Sequence, residues 1–280
     1  MLIFRKTVLW ALSSLNRKAA SDFIERWFIL LMNFPEYKKP DHNIKGIFWD
    51  FDGTLVDSRD KNFNVTKIIV KRVTGRSPES FPILKSADTY QQALRKSTNW
   101  RDFYHNFFEL SIKNTDYAGS LWSKYQLRDN THAPVFEGIP QLLDEFRDLD
   151  HAIISQNSKN LIRKILDENN LQKYFKFIIG YEEVNIRNQK PDPAGLIKSM
   201  GKFEQPISGI FIYIGDHESD VTFAGNANSY LKANNFDAKV ISVAAHYHPK
   251  AEQHTWKHSP DFHAHTVSEL RNVLRRVVLE

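Results

Sequence analysis

Asp50 and Asp52 stand two residues apart, where an apolar run from Ile44 to Trp49 gives way to Gly53 and Thr54. The run predicts a buried strand, and the Gly-Thr pair predicts the tight turn that leaves it. Alternate residues of a strand share a face, so the two carboxylates begin by projecting together. Like charges held so close are costly unless a cation or a shared proton offsets the repulsion. The pair therefore suits a hard divalent cation with oxygen ligands, and a carboxylate nucleophile with an acid/base partner.

Polar residues also close the later apolar runs. Ala152-Ile153-Ile154 leads into Ser155, Gln156, Asn157 and Ser158, and Ile210 to Ile214 leads into Gly215-Asp216-His217-Glu218-Ser219-Asp220. Between them, after the run from Phe175 to Gly180, comes Lys190-Pro191-Asp192-Pro193. A hydroxyl and an ammonium hold an anion; clustered carboxylates hold a cation, and a supply of oxygen ligands alone favours magnesium over zinc.

These groups meet only if the chain brings its strand ends to one edge. Helical patterns at Ile139–Leu149, Lys159–Leu171, Pro193–Met200, Ser219–Tyr230 and Val267–Val278 alternate with strands at His151–Ser155, Phe175–Gly180, Gly209–Ile214 and Lys239–Ala244, the last clear strand. Strands alternating with helices predict an α/β fold, a Rossmann-like parallel sheet with helices on both faces, whose ligands sit outside the carboxyl ends of the strands. The aromatic-rich span 59–135 reads as helices at Phe63–Val73, Ala87–Arg95, Trp100–Ile112 and Ala118–Tyr125, a small helical domain inserted into the core. Its aromatics, Trp100, Phe103, Tyr104, Phe107 and Phe108 among them, are expected mostly in its own core. Residues 1–43 predict an N-terminal helical extension: Val8, Leu12, Leu15, Ala19 and Phe23 recur at helical spacing, and Asp22 with Glu25 marks a second start. The expected division is 1–43 extension, 44–58 with 136–280 catalytic core, and 59–135 insertion.

The 280 residues carry a formal net charge of +5 without a long basic block, which suits anionic ligands but does not argue for nucleic acid. With no cysteine, disulfides, thiolate metal sites and thiol nucleophiles are excluded. No apolar run near the N-terminus reaches the ~20 residues of a spanning helix, and Asn16-Arg17-Lys18 stands where a signal peptide would need small neutral residues. A cytoplasmic protein is expected. The apolar stripe of 1–43 packs on the rest of the protein or on a second copy in a homodimer; with Arg5, Lys6, Arg17 and Lys18 beside it, a membrane surface is the other reading.

Taken in order, Asp50-Phe51-Asp52-Gly53-Thr54, Ser155, Lys190 and Gly215-Asp216 with Asp220 resemble the motifs of the haloacid dehalogenase-like hydrolase superfamily, in the branch of phosphoglycolate phosphatases and β-phosphoglucomutases. Val135-Phe136-Glu137-Gly138-Ile139-Pro140 resembles the return from that branch's cap, which falls where the helical insertion does. The resemblance covers about residues 44–275. It implies that Asp50 attacks phosphorus and becomes an aspartyl phosphate, while Asp52 serves as acid and then base. It implies Mg2+ held by Asp50, the Asp52 carbonyl and Asp216, with Asp220 as ligand or support. Ser155, Gln156, Lys190 and the turn at Gly53 and Thr54 would bind the phosphoryl oxygens. Having Asp52 two residues after the nucleophile favours a small phosphate ester over a halide or phosphonate. The sequence departs from the branch in carrying Gln156 after Ser155, with Asn157 next.

Alternatives stay open: a phosphomutase using the same intermediate, and a membrane-associated or scaffolding protein whose first 43 residues do the work. Asp220 also suits a helix cap. His246, His248, His254, His258, His263 and His265 crowd the C-terminal region. His254 and His258 have the i, i+4 spacing of a zinc pair but lack the acidic base of the usual motif, and the bland reading is a solvated loop.

Overall fold

The computed structural model describes residues 44–97, 99–185, 188–247, 256 and 258–279; the expected N-terminal helices, His248 and His254 lie outside the described residues. Its elements in chain order are β1 (Ile44–Trp49), α1 (Arg59–Thr74), α2 (Ala87–Arg95), α3 (Trp100–Phe108), α4 (Ile112–Arg128), α5 (Ile139–Glu145), β2 (His151–Ile154), α6 (Lys159–Glu168), β3 (Phe175–Ile179), α7 (Ala194–Phe203), β4 (Gly209–Gly215), α8 (Glu218–Ala233), β5 (Ala238–Ala245), β6 (Phe262–Ala264) and α9 (Val267–Leu279), with short 3-10 turns between some of them. The strands form one sheet in the order β3-β2-β1-β4-β5-β6, parallel throughout. No helix among the described residues is long and apolar enough to cross a membrane.

The unbroken apolar runs that suggested buried strands are explained by two cores, one on each face of the sheet. Ile47, Trp49, Ile153, Ile212, Ile214 and Val243 point to one face, where α5, α6 and α9 bring Leu142, Leu161, Ile165, Leu270 and Leu274. The alternate residues Phe48, Ala152, Ile154, Phe211, Tyr213 and Val240 point to the other, against Leu196 and Met200 of α7 and Phe223, Ala227 and Leu231 of α8. Helices α1 to α4 build a third cluster of their own, in which Tyr90, Phe103, Tyr104 and Phe108 meet at edge-on and tilted angles.

Three expectations are corrected. The helix expected over Trp100–Ile112 ends at Phe108, because Glu109 turns left-handed (φ 55°) and Ser111 caps a new helix through Asn114 N–H. The helix expected from Phe63 starts at Arg59, and its first turns carry a buried lysine that the apolar pattern does not mark: the Lys61 ammonium donates to the carbonyl of Asp129, just past α4, at 2.6 Å. Lys239–Ala244 is not the last strand. Phe262–Ala264 pairs with β5, so part of the histidine-rich region is sheet edge rather than solvated loop. There His246 Nε2 lies 3.2 Å from His263 Nδ1, and the His265 ring stacks 5.4 Å from His246 and 6.4 Å from His263.

A buried polar contact ties β1 to β2. The Trp49 indole N–H donates to His151 Nδ1 at 3.0 Å, and His151 Nε2 lies 2.9 Å from the Phe146 carbonyl. An indole only donates and a carbonyl only accepts, so the ring is neutral with its proton on Nε2. Burial holds its pKa below the usual value, only partly offset by the Phe146 carbonyl. A group whose folded pKa is depressed contributes stability above its unfolded pKa of ~6.5 and loses it as pH falls below. Between pH 7 and 5 His151 is therefore expected to lower the urea midpoint, against the rise that the raised Asp50 and Asp216 carboxyls bring. The His151 contribution should be smaller in Trp49→Phe, where Nδ1 no longer faces an N–H; equal slopes in the two proteins would remove His151 from the account.

Candidate active site

Strand order alone assembles the ends of three strands. The chain leaves β1 for β2 and β3 on one side, then crosses to β4 on the other, so the crevice lies beside β1, where the direction of winding reverses. Asp50, Ser155 and Asp216 follow β1, β2 and β4, and the Asp50 N–H is fixed to the Ile214 carbonyl at 2.8 Å. All three line one cavity, with Asp52, Gly53, Gln156, Lys190 and Asp220.

The turn after β1 is shaped by its neighbour on β4. Gly53 has φ 77°, and a Cβ there would stand 2.1 Å from Asp216 Oδ2. A side chain at this position would thus meet both backbone strain and a carboxylate. Thr54 is placed differently from Gly53. It is fully buried and does not line the cavity, and both amides serve the turn, Gly53 N–H to the Val56 carbonyl (2.8 Å) and Thr54 N–H to the Phe51 carbonyl (3.4 Å).

Lys190 is the pivot of the charges. Its buried ammonium donates to Asp50 Oδ1 at 2.7 Å and to Asp220 Oδ1 at 2.9 Å, and the Tyr213 hydroxyl also reaches Asp220 Oδ1 at 3.3 Å. Asp220 has a second bond that explains its suitability as a cap: its Oδ2 accepts the His217 N–H at 3.1 Å at the start of α8. One ammonium does not neutralise this set. Burial pushes the Asp50 carboxyl up to about 7; Lys190 opposes this and Asp220 adds to it. Asp216 is raised well above the carboxylate range by burial and then by Asp50, Asp220 and Asp52. On Lys190 burial acts downward, yet Asp220 and Asp50 together hold its pKa above the ordinary value.

Ligand oxygens of Asp50, Asp216 and Asp220 lie within 4.8 Å of one another, close enough to share one ion. Oxygen donors only, with carboxyls whose ionisation is suppressed by one another, fit a hard divalent cation such as magnesium.

Asp52 sits apart from that cluster in a cradle of amides. Asn157 Nδ2 donates to its Oδ2 at 2.9 Å, while Asn62 Nδ2, on α1, lies 3.5 Å from its Oδ1. Asn62 is turned this way by Gln126 on α4, whose Nε2 donates to Asn62 Oδ1 at 2.6 Å. Burial raises the Asp52 pKa, and hydrogen bonds from Ser58, Asn157 and Asn62 counter it. Gln156 does something else: its Nε2 donates to the Lys190 carbonyl at 3.1 Å and so steadies the lysine's backbone. The Ser155 hydroxyl accepts the Asn157 N–H at 3.1 Å, which leaves its own proton to donate into the cavity.

Asn157, Asn62 and Gln126 were not among the residues singled out in the sequence. A signal existed for Asn157, in the polar run that closes β2, and for Asn62, one helical turn after Ser58. Gln126 carried none, since a glutamine on a helix usually faces water.

The cavity measures about 470 Å³ and runs from these acids to helices α2, α3 and α4. Arg59 lines it already in a salt bridge with Asp57.

Comparison with known proteins agrees with this geometry. The family model for haloacid dehalogenase-like hydrolases matches residues 47–231. The pyrophosphatase PpaX of Listeria monocytogenes is 23% identical over 242 residues, spanning 83% of this chain and 97% of its own. A phosphoglycolate phosphatase of Pseudomonas fluorescens is 27% identical over 189 residues, 64% of each chain. Among solved structures, a Lactobacillus plantarum protein carrying the provisional name phosphoglycolate phosphatase superposes with a TM-score of 0.65 at 16% identity, over 82% of this chain and 99% of its own, a likeness of fold.

Removing the pivot tests the electrostatics directly. Lys190→Met leaves the acids without their buried partner and is expected to cost about 3 kcal/mol of unfolding free energy in chelator at neutral pH, the scale of a broken buried ion pair. Magnesium should restore more stability to the variant than to the parent. A variant as stable as the parent in chelator would show that the ammonium does not offset these carboxylates.

Proposed function

This chain belongs to the haloacid dehalogenase-like hydrolase family, and we propose that it is a magnesium-dependent phosphatase that hydrolyses a small phosphate ester through an aspartyl phosphate on Asp50. The observation that carries the reading is the Asp50 carboxylate itself, joined to Lys190 at 2.7 Å and clustered with Asp216 and Asp220 on the floor of the cavity.

The free oxygen of Asp50 attacks phosphorus as the bond to the ester oxygen breaks. Asp52, held by Asn157 and facing the same cavity, gives its proton to that oxygen, and the alcohol leaves. The burial that raises the Asp52 pKa favours the protonated form this first step needs. A water then attacks the aspartyl phosphate; Asp52 takes the water's proton, phosphate departs and Asp50 is regenerated. Lys190 and the Ser155 hydroxyl face the equatorial phosphoryl oxygens, where the charge of the transition state spreads. Magnesium, held by Asp50, Asp216 and Asp220, would add positive charge beside the same oxygens. The names of the pyrophosphatase and phosphoglycolate phosphatase relatives support phosphoryl transfer to water.

Two experiments test this. Asp50→Asn should release no phosphate from any ester the parent hydrolyses, because an amide is a poor nucleophile, and chelator should silence the parent until magnesium is returned; activity surviving either treatment would refute the mechanism. Asn157→Ala should lower kcat by roughly 10- to 100-fold, the equivalent of one lost hydrogen bond to a charged group at ~1.5–3 kcal/mol. An unchanged kcat would free Asp52 from its proposed dependence on Asn157.

A further inference from the structure

The cavity is poorly matched to a very small substrate. Its volume of about 470 Å³ lies within the ~300–1,000 Å³ of sites that enclose drug-sized ligands. A phosphoryl group on the acid-lined floor with a two-carbon acid attached would leave most of that space to water.

Aromatic surface also lines the cavity. Trp100 and Trp122 come from α3 and α4, and Phe136, Tyr181, Tyr247 and Trp256 from the sheet side. All six are only partly buried: Trp100 and Trp122 pack against the core that holds Phe103 and Tyr104, and Phe136 and Tyr247 against the core on one face of the sheet, each leaving part of its surface exposed. Wet aromatic surface inside a cavity is unfavourable and is best covered by a flat partner.

Trp100 is fixed before any ligand arrives. The Arg101 guanidinium lies 4.0 Å from the centre of its ring, and Tyr104 meets it edge-on at 6.4 Å. The indole also fills the place a side chain would need at Gly119, where a Cβ would stand 2.4 Å from its ring. A ring held on these sides is a stacking platform with little freedom left to lose on binding.

We infer, building on the phosphatase reading, that the substrate is a phosphate monoester whose alcohol carries a flat aromatic or heteroaromatic ring, stacked on Trp100 and Trp122. Hydrolysis takes up one water and releases phosphate and the ring-bearing alcohol.

The test is hydrolysis with magnesium of phosphoglycolate, pyrophosphate, glucose phosphate, uridine monophosphate, pyridoxal phosphate and flavin mononucleotide. The best ring-bearing ester is expected to exceed the best ring-free compound at least tenfold in kcat/KM. Trp100→Ala, and Gly119→Ala, which displaces the indole while improving helix propensity, should each cut that ratio about tenfold, within the range of one ring stacked on an aromatic side chain. A parent ratio below tenfold, or a ratio unmoved in Trp100→Ala, overturns the inference while Asp50-dependent hydrolysis of a ring-free ester keeps the phosphatase reading. If the parent hydrolyses none of the six and Asp50→Asn binds none by tryptophan fluorescence, both fail.

Discussion

A single ammonium among four carboxyl groups governs this molecule. Lys190 bonds Asp50 and Asp220 inside the protein, with Asp216 and Asp52 in the same cavity, so one positive charge stands against an excess of acid. Such a cluster is costly to bury and is kept where it serves a purpose. The surrounding fold makes it possible. Parallel strands bring three chain segments to one edge, and Gly53 gives up its side chain so that Asp216 can lie against the turn. A divalent cation held by Asp50, Asp216 and Asp220 would offset the acid that the lysine leaves unbalanced.

Much of this was legible in the sequence, and for identifiable reasons. Runs such as Ile210–Ile214 are apolar on both faces only when helices cover both sides of a sheet, and the acids that end them have little reason to be there without a ligand. Other features depend on contacts between distant segments. Lys61 reads as a solvated lysine, but its ammonium is satisfied by a carbonyl 68 residues on. Gln126 is fully buried because Asn62 awaits it. Phe262–Ala264 is too short and too polar to announce a strand and becomes one by pairing with β5. Thr54, read beside Gly53 as part of the anion site, is directed into the protein by the same turn that presents Gly53 to the cavity.

Helices α1 to α4 have two faces with different duties. One is an interlocked set of aromatic rings that holds them together; the other, with Trp100 and Trp122, closes the space above the acids. The acids thus stand on strand ends, which tolerate little movement, while the other wall of the cavity is built from helix surfaces.

The bridge from Gln126 through Asn62 to Asp52 ties the two walls at one point. The connections between α1 and α4 can lengthen or shorten over evolutionary time without reaching the acid. A one-residue slip within α4 upstream of position 126 would rotate the amide by about 100°, at ~3.6 residues per turn, and leave Asn62 free to swing its oxygen toward Asp52. The register of α4 at position 126 thereby sets which way the Asn62 amide faces Asp52.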